Sequence, residues 1–532
     1  MIREDLAGVE PYRWQEGWEQ RIPPGTPVIR LDQNTQPRPP AWYAGSAAWL
    51  ASVAVNRYPD SSYLRLREAI SEYTGFPADQ IVATAGADEG LVLCALLTLS
   101  RGDTAYARPP CYGLYQGATA LAGGVLADRP AGARLTWVCS PHNPTGEDSP
   151  GDVPDPNGGL VVIDQAYIEF GGTDLSKLVR ERDDVVVVRT LSKAFALAGA
   201  RVGYLLAPPA IARKLEAIRP PGSISSFSDA LAVRALTEDR GLMEADVAET
   251  VAERERMRLA LSGLGWQISP SSANCLFADL GEPIEPWISR LLSAGIVVRT
   301  FDALPTCLRI TIGSPRQNDQ VLEALGLAAP APAPAAAGDR TGRVERSTRE
   351  TRIDVEWSLD GSGRSQIATG IGFLDHMLTA LAFHSLTDLR LSCIGDLWVD
   401  EHHTVEDVAI ALGTALDRAL GDRAGIVRYG DARAPLDEAL CHATVDLGGR
   451  GHASVDLPLR DVRVGGLPAS LVPHFVESLS RTGRMAIHLH GHGDDDHHLV
   501  EAAFKALALA LRQAVAADPG RAGSLPSTKG AI

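Results

Sequence analysis

The hydrophobic pattern changes character part-way along the chain. Up to about residue 327, unbroken apolar runs such as Leu135–Ser140 (LTWVCS), Gly159–Asp164 (GLVVID) and Val185–Thr190 (VVVVRT) alternate with helical stretches at 64–74, 89–99 and 245–264. Strands that are apolar on both faces and separated by helices predict a parallel sheet covered on both sides. From about residue 343 the runs become amphipathic. Strands at 351–359 and 443–447 alternate with helices at 374–383, 403–420, 473–481 and 498–515, an α+β pattern. Between them Ala328–Gly338 reads AAPAPAPAAAG. Closely spaced prolines remove helical donors, so this segment predicts an extended spacer of about 30 Å at ~3.1 Å per residue. The expected organisation is therefore 1–327, a linker at 328–342, and 343–532.

The second part also repeats itself. IGFLDHML (371–378) and HHTVED (402–407) return as SLVPHFVES (470–478) and HHLVEA (497–502). His376 to His474 is 98 residues, and His402 to His497 and Glu406 to Glu501 are both 95, which indicates two copies of one unit.

Composition narrows the chemistry. The net charge of −16 disfavours a nucleic-acid or membrane-surface binder, because phosphate backbones repel such a field. No apolar leader opens the chain, and the seven cysteines are scattered without Cys-x-x-Cys spacing. A cytoplasmic protein with reduced thiols is expected. Only five of the 50 basic residues are lysine, so a lysine inside a motif stands out. Twelve of the 13 histidines follow residue 340.

One such lysine is Lys193, in Arg189-Thr-Leu-Ser-Lys-Ala-Phe-Ala-Leu-Ala-Gly-Ala-Arg201, directly after an apolar strand. If that stretch is helical, Arg201 lies about two turns from Lys193. Upstream, the strand Val161–Asp164 ends in a carboxylate followed by Ala166-Tyr167, and Asn143-Pro-Thr-Gly follows another strand. Gly86-Ala87-Asp88 opens a helix, whose free N–H groups suit a phosphate. This order of motifs resembles the fold type I pyridoxal-phosphate enzymes, and within them the histidinol-phosphate aminotransferases. The resemblance implies that Lys193 carries the cofactor and shuttles a proton, and that Asp164 holds the ring nitrogen protonated. It further implies that Asn143 and Tyr167 bond the ring's phenolic oxygen and that Tyr112 stacks on the ring. Gly86, Ala87, Asp88, Ser192, Arg201 and, less firmly, Thr190 cradle the phosphate. Tyr58 reaches a neighbouring subunit's phosphate, so a dimer is expected. Arg299 and Arg309 would bind the substrate's carboxylate or phosphate, with glutamate the expected amino donor. Asn34 matches an early loop only loosely, and a related pyridoxal decarboxylase remains the alternative.

In the second part, adjacent histidines on a helix project about 100° apart, so His402 and His403 do not converge on one ion. Glu406 can share a face with either, and Glu501 with His497 or His498. With His376 and His474 these make six imidazoles and two carboxylates, suited to two borderline divalent ions such as Mn²⁺. A binuclear hydrolase is the chemical alternative. Residues 343–532 resemble imidazoleglycerol-phosphate dehydratase, through TGIGFLDHML, GDLWVDEHHTVED, EAAFKA and PSTKG. The resemblance assigns phosphate binding to Arg428, Arg450, Lys505, Ser527 and Lys529, and implies trimers packed into a 24-subunit shell. Glu350 is the first choice for removing the substrate's C2 proton. Glu477 and Asp495 stand where that family has Arg and Asn. Together the two resemblances imply a bifunctional enzyme of histidine biosynthesis, acting on small phosphorylated imidazoles.

Overall fold

The computed structural model describes residues 17–155, 158–327, 340–521 and 524–527. Its described residues form two compact units, the first from the earlier part of the chain and the second from 340 onward, with 41–52 grouped into the second. The expected spacer lies outside the described residues up to 339. Its last two positions already belong to the strand Thr341–Ser347.

The first unit is built on a seven-stranded sheet. Its spatial order is Ile81–Thr84, Gly203–Leu206, Val185–Thr190, Leu160–Asp164, Leu135–Cys139, Thr104–Ala107 and Val125–Ala127. The apolar runs are its centre: every residue of Val185–Thr190 and Leu135–Cys139 is buried. Their neighbours pair in parallel, which sets Cys139 beside Asp164 and Asp164 beside Val188. Gly203–Leu206, however, runs antiparallel to both strands beside it. The reason is the connection 191–202, which contains only the short 3-10 turn Ala198–Ala200 and no crossover helix. A parallel return is usually carried by a crossover helix, which this loop lacks, whereas an antiparallel return needs none. Lys193 and Arg201 therefore sit on a loop, not two turns along a helix. Helices Gly86–Thr98 and Gly113–Leu121 help cover the sheet, closing a core of Leu91, Cys94, Trp137, Val162, Val188 and Leu205.

The remaining helical expectations correspond to Leu64–Thr74 and Arg240–Ser262. A second, five-stranded sheet holds Ile29–Leu31, Ile296–Thr300, Cys307–Thr311, Cys275–Asp279 and Gln267–Ile268, in that order. Its register sets Arg299 directly opposite Arg309.

The second unit contains the duplication in three dimensions. The first copy runs Thr341–Ser347, Thr351–Ser358, Ser365–Ala368, helix Gly372–Ser385, Asp388–Gly395, helix His402–Leu420. The second runs Tyr429–Leu436, Ala439–Asp446, His452–Asp456, helix Leu471–Gly483, Ala486–His492, helix Asp496–Val515, with one short added hairpin before its first helix. Each copy makes a four-stranded sheet in the order first, second, fourth, third strand. Strict alternation of buried residues with half-buried or exposed ones along Thr351–Ser358 and Ala439–Asp446 turns one face of each sheet inward.

The four helices supply the rest of the core, and they pack across the copies. His402–Leu420 lies against Leu471–Gly483, and Gly372–Ser385 against Asp496–Val515. The first pair approaches closely because Gly413 has no side chain; a Cβ there would lie 2.6 Å from Gly483 N and from Leu479 O. Trp357, Leu378, Leu412, Phe475 and Leu507 belong to one cluster spanning both copies. Truncating the fully buried Leu412 to alanine costs about 3 kcal/mol by the usual cavity and transfer terms.

Candidate active sites

In the first unit, the ends of the central strands and the start of helix Gly86–Thr98 enclose a cavity of about 270 Å³. Its lining includes Ala87, Asp88, Tyr112, Asn143, Asp164, Tyr167, Thr190, Ser192, Lys193, Arg201, Arg299 and Arg309. Asp164 closes the buried end of its strand, where burial pushes its carboxyl up to about 6 despite a hydrogen bond from Tyr115. Tyr115 Oη donates to Asp164 Oδ2 at 2.8 Å, and Ala166 N donates to Oδ1 at 3.1 Å. Lys193 Nζ donates to Gln33 O at 3.2 Å and lies 5.6 Å from the Tyr167 ring centre. Burial, and then the Arg309 charge, push its ammonium down to about 8. Desolvation thus brings this amine and this carboxyl toward neutrality from opposite sides.

The far end of the cavity places a guanidinium beside a helix start. Arg201, in the left-handed region at φ 54°, pairs with Asp88 at 2.7 Å. Gly86 begins the helix at φ +78°, and a Cβ there would meet Arg201 Nη2 at 2.6 Å. Tyr112 Oη donates to Asp88 Oδ1 at 3.2 Å. Thr190 Oγ1 is engaged with Ser192 Oγ at 2.9 Å and with Val202 O. Buried Arg309 donates to Asn143 Oδ1 and to Asp32 O, both at 2.7 Å. Asn34 Nδ2 donates to the Tyr167 hydroxyl at 3.2 Å. Tyr58 stands apart, 97% exposed.

In the second unit the histidines sort into two triads, each drawn from both copies. His376 joins His497 and Glu501; His402 and Glu406 join His474. Glu501 Oε2 lies 3.4 Å from His376 Nε2 and 3.6 Å from His497 Nε2. Glu406 lies 3.7 Å from His402 Nε2 and 3.8 Å from His474 Nε2, and that buried nitrogen has no hydrogen-bond partner. Helix packing across the copies accounts for the exchange, since each first helix lies against the other copy's second helix.

His403 and His498 are brought into neither triad. Their rings stand at 85° and 88° to those of His402 and His497. His403 Nδ1 is 3.0 Å from Asp396 Oδ2, and His498 Nδ1 is 3.0 Å from Glu438 Oε2. Their other nitrogens face carboxylates too: His403 Nε2 lies 3.8 Å from Glu350, and His498 Nε2 lies 3.8 Å from Asp437.

Two family models match this chain. One, aminotransferase class I and II, matches residues 26–131 and 126–325. The other, imidazoleglycerol-phosphate dehydratase, matches residues 369–511. A chloroplastic imidazoleglycerol-phosphate dehydratase of Pisum sativum is 52% identical over 194 residues, covering 36% of this chain and 69% of its own. That of Acidiphilium cryptum is 51% identical over 194 residues, covering 36% of this chain and 99% of its own.

The chain belongs to both families.

Solved structures share the aminotransferase fold. A histidinol-phosphate aminotransferase from Sinorhizobium meliloti, in complex with pyridoxal-5'-phosphate, aligns with TM-score 0.54 at 24% identity, covering 61% of this chain and 96% of that one. A putative histidinol-phosphate aminotransferase from Erwinia carotovora aligns with TM-score 0.52 at 24% identity, covering 57% and 97%.

Within the dehydratase unit, Lys505 donates to Glu501 Oε1 at 2.8 Å, beside one triad. Arg428 is held by Asp446 at 2.7 Å and donates to Pro526 O at 2.7 Å. Arg450 is exposed, Ser527 is half-buried, and Lys529 lies outside the described residues. Asp495 caps the helix Asp496–Val515, accepting from His497 N at 2.7 Å and His498 N at 3.2 Å. Asparagine caps equally well, so this departure leaves the helix start intact. Glu477 is exposed.

Several residues lie in segments that carry the resemblance without having been given a role there: Tyr115 in Pro110-Cys-Tyr-Gly-Leu-Tyr, Asp32 in Leu31-Asp-Gln-Asn, and Asp437 and Glu438 in Asp437-Glu-Ala-Leu. The last two sit at the second copy's hairpin turn, as Glu350 sits at the first copy's, and the repeat could have paired them.

Proposed function

We propose that this chain is a bifunctional enzyme of histidine biosynthesis. The dehydratase unit converts imidazole glycerol phosphate to imidazole acetol phosphate. The aminotransferase unit converts that ketone, with glutamate, to histidinol phosphate. The observation that carries the reading is chemical continuity within one chain: a site built around a buried lysine joined to a unit holding two His₂Glu triads, where the first product is the second substrate.

The cavity of the aminotransferase unit fits pyridoxal phosphate by its donor set. It offers a desolvated amine at Lys193, a buried carboxylate at Asp164, and a helix N-terminus with Arg201 and Ser192 for a phosphate. The Cβ-free position at Gly86 leaves room for Arg201 in that cradle. When bound, pyridoxal phosphate supplies an aldehyde and an electron sink. Lys193 would hold the group and carry a proton away from the substrate's Cα to the carbon that the amine joins, and Asp164 would keep the ring nitrogen protonated. Tyr167 and Asn143 line the phenolic side. Arg309 and Arg299 bind carboxylate or phosphate through their planar forks. The extreme exposure of Tyr58 supports a dimer in which it reaches the partner's phosphate.

The triads fit Mn²⁺ or a similar borderline divalent ion, with two imidazoles and one carboxylate each. The unpartnered buried nitrogen of His474 supports a ligand role. When bound, the metal supplies acidity to the substrate's imidazole N–H at neutral pH. Glu350 would remove the C2 proton, the hydroxyl on the neighbouring carbon would leave as water, and the resulting enol would ketonise. Phosphate binding falls to Arg428, Arg450, Lys505, Ser527 and Lys529. His403 and His498, aimed away from their own triads, support metal shells completed between copies in a closed assembly. The free cysteines fit a cytoplasmic setting. Among the described residues no helix is long and apolar enough to cross a membrane.

The test is mass balance. Purified chain given imidazole glycerol phosphate, glutamate, pyridoxal phosphate and Mn²⁺ yields histidinol phosphate and 2-oxoglutarate in equal amounts. Failure to consume glutamate with the ketone present overturns the transaminase half. Persistence of water loss after metal removal overturns the other half.

A further inference from the structure

Asp164 is held by more than its own strand. Its Oδ1 accepts from Ala166 N two residues on, a local contact, but its Oδ2 accepts from Tyr115, 49 residues earlier on helix Gly113–Leu121. Tyr115 is 1% exposed, and its ring stacks on Trp137 with centroids 5.3 Å apart and planes at 7°. Trp137 Nε1 in turn donates to Thr119 Oγ1 at 3.2 Å, one helical turn beyond Tyr115 on the same helix. Tyr112 meets the Tyr115 ring edge-on at 5.7 Å. Stacking on one side and an edge contact on another hold the ring with its hydroxyl on the carboxylate.

The phenol stays protonated and donates to the carboxylate, with the Cys139 thiol as its other polar neighbour. Burial drives its own ionisation well above the ordinary tyrosine range, so its proton stays on Oη. The other groups acting on Asp164 oppose one another, Asp88 repelling its charge and Lys193 favouring it. A carboxylate that accepts a buried hydrogen bond is less basic and better oriented. Facing a pyridine-type nitrogen, a less basic carboxylate leaves the shared proton on the nitrogen.

We propose that Tyr115 is a positioning residue of the aminotransferase unit, holding Asp164 ionised and aimed so that the proton shared with the cofactor's ring nitrogen stays on that nitrogen. This rests on the pyridoxal-phosphate reading. No covalent bond is made or broken: one proton is shared, and Tyr115 biases where it resides.

The experiment uses the full chain loaded with pyridoxal phosphate carrying ¹⁵N in the ring, with Tyr115→Phe and Thr119→Val compared to the parent. In the parent the ring resonance lies at the protonated position. In Y115F it moves toward the unprotonated position, and kcat for transamination falls about tenfold with KM little changed, as expected when a group acts through the reacting centre rather than in substrate binding. T119V keeps the phenol and leaves the resonance in place. In cofactor-free protein, Asp164 carrying ¹³C titrates at higher pH in Y115F than in the parent. Should Y115F fail to fold, 3-fluorotyrosine at position 115 keeps the shape and strengthens the donor, and shifts the Asp164 titration downward instead. An unmoved ring resonance in Y115F, or an unmoved Asp164 titration, overturns the role of Tyr115. Failure of the parent to bind the cofactor at all overturns the underlying reading, and the Asp164 titration alone separates the two failures.

Discussion

The two units solve the problem of placing reactive groups in opposite ways. The aminotransferase unit uses single copies of a buried amine and a buried carboxylate, each tuned by what surrounds it. Lys193 is pushed down to about 8 and Asp164 up to about 6 by the same cause, removal from water. The dehydratase unit uses duplicate copies, half exposed, and relies on number and convergence; its histidines and glutamates gather by helix packing. In the first unit a substitution changes the state of a group. In the second it changes how many groups meet.

The largest expected effect separates the units outright. On the proposed function, in which Lys193 carries the cofactor, Lys193→Ala lowers transamination by about 10³-fold or more while dehydration is unchanged. Separate assays for 2-oxoglutarate and for the ketone check it. Metal removal by a chelator does the reverse, and a chelator-sensitive transamination step would break the comparison.

Next come the triads. Glu406→Gln and Glu501→Gln each remove one carboxylate, and second-sphere and ligand changes of this kind weaken metal binding by about 10–100-fold or more. Elemental analysis is expected to find metal reduced by about half in either variant, because each triad keeps its own set. Because the copies exchange residues, His376→Asn should spare the His402–Glu406–His474 triad although His376 and His402 belong to the same copy. Loss of both metals from that one variant would show that the triads are not independent.

The pH dependence sharpens the first unit. Below about 8 the Lys193 amine is protonated and unreactive; above it the free base dominates. Capture of pyridoxal by cofactor-free protein therefore rises with pH and is half-maximal near 8, not near the ordinary lysine value of 10.5. Arg309→Gln removes a positive charge that disfavours protonation, so its midpoint moves upward. Stopped-flow absorbance across pH 6–11 reads both.

The smallest effect concerns Asp495. Asp495→Asn changes stability by about 0.5 kcal/mol or less, whereas Asp495→Ala costs about 1 kcal/mol because two backbone N–H groups lose their cap. Urea melts distinguish them.

Much of this was legible along the chain. Runs such as Val185–Thr190 announced buried strands because nothing but a two-sided cover tolerates them. The repeat announced itself through His376 and His474 at matching places, and the motifs around Lys193 and His402 named both chemistries. The errors arose where spacing was read as geometry. Lys193 and Arg201 looked like helix neighbours, but a loop joins them, since the next strand returns antiparallel. Tyr115 stands in a matching motif, but its contact with Asp164 spans 49 residues and no local pattern encodes it.

Residue types and their spacing by themselves determined which reactive groups exist, their number, and that they fall into two chemically distinct parts. Tertiary structure alone decided which groups meet: that His376 serves the other copy's helix, that His403 faces Asp396 and Glu350, and that a phenol grips Asp164. The reason is physical. Periodicity reports which face of an element is apolar, whereas a binding or catalytic constellation depends on how faces of distant elements are packed together, and that is set by the whole core at once.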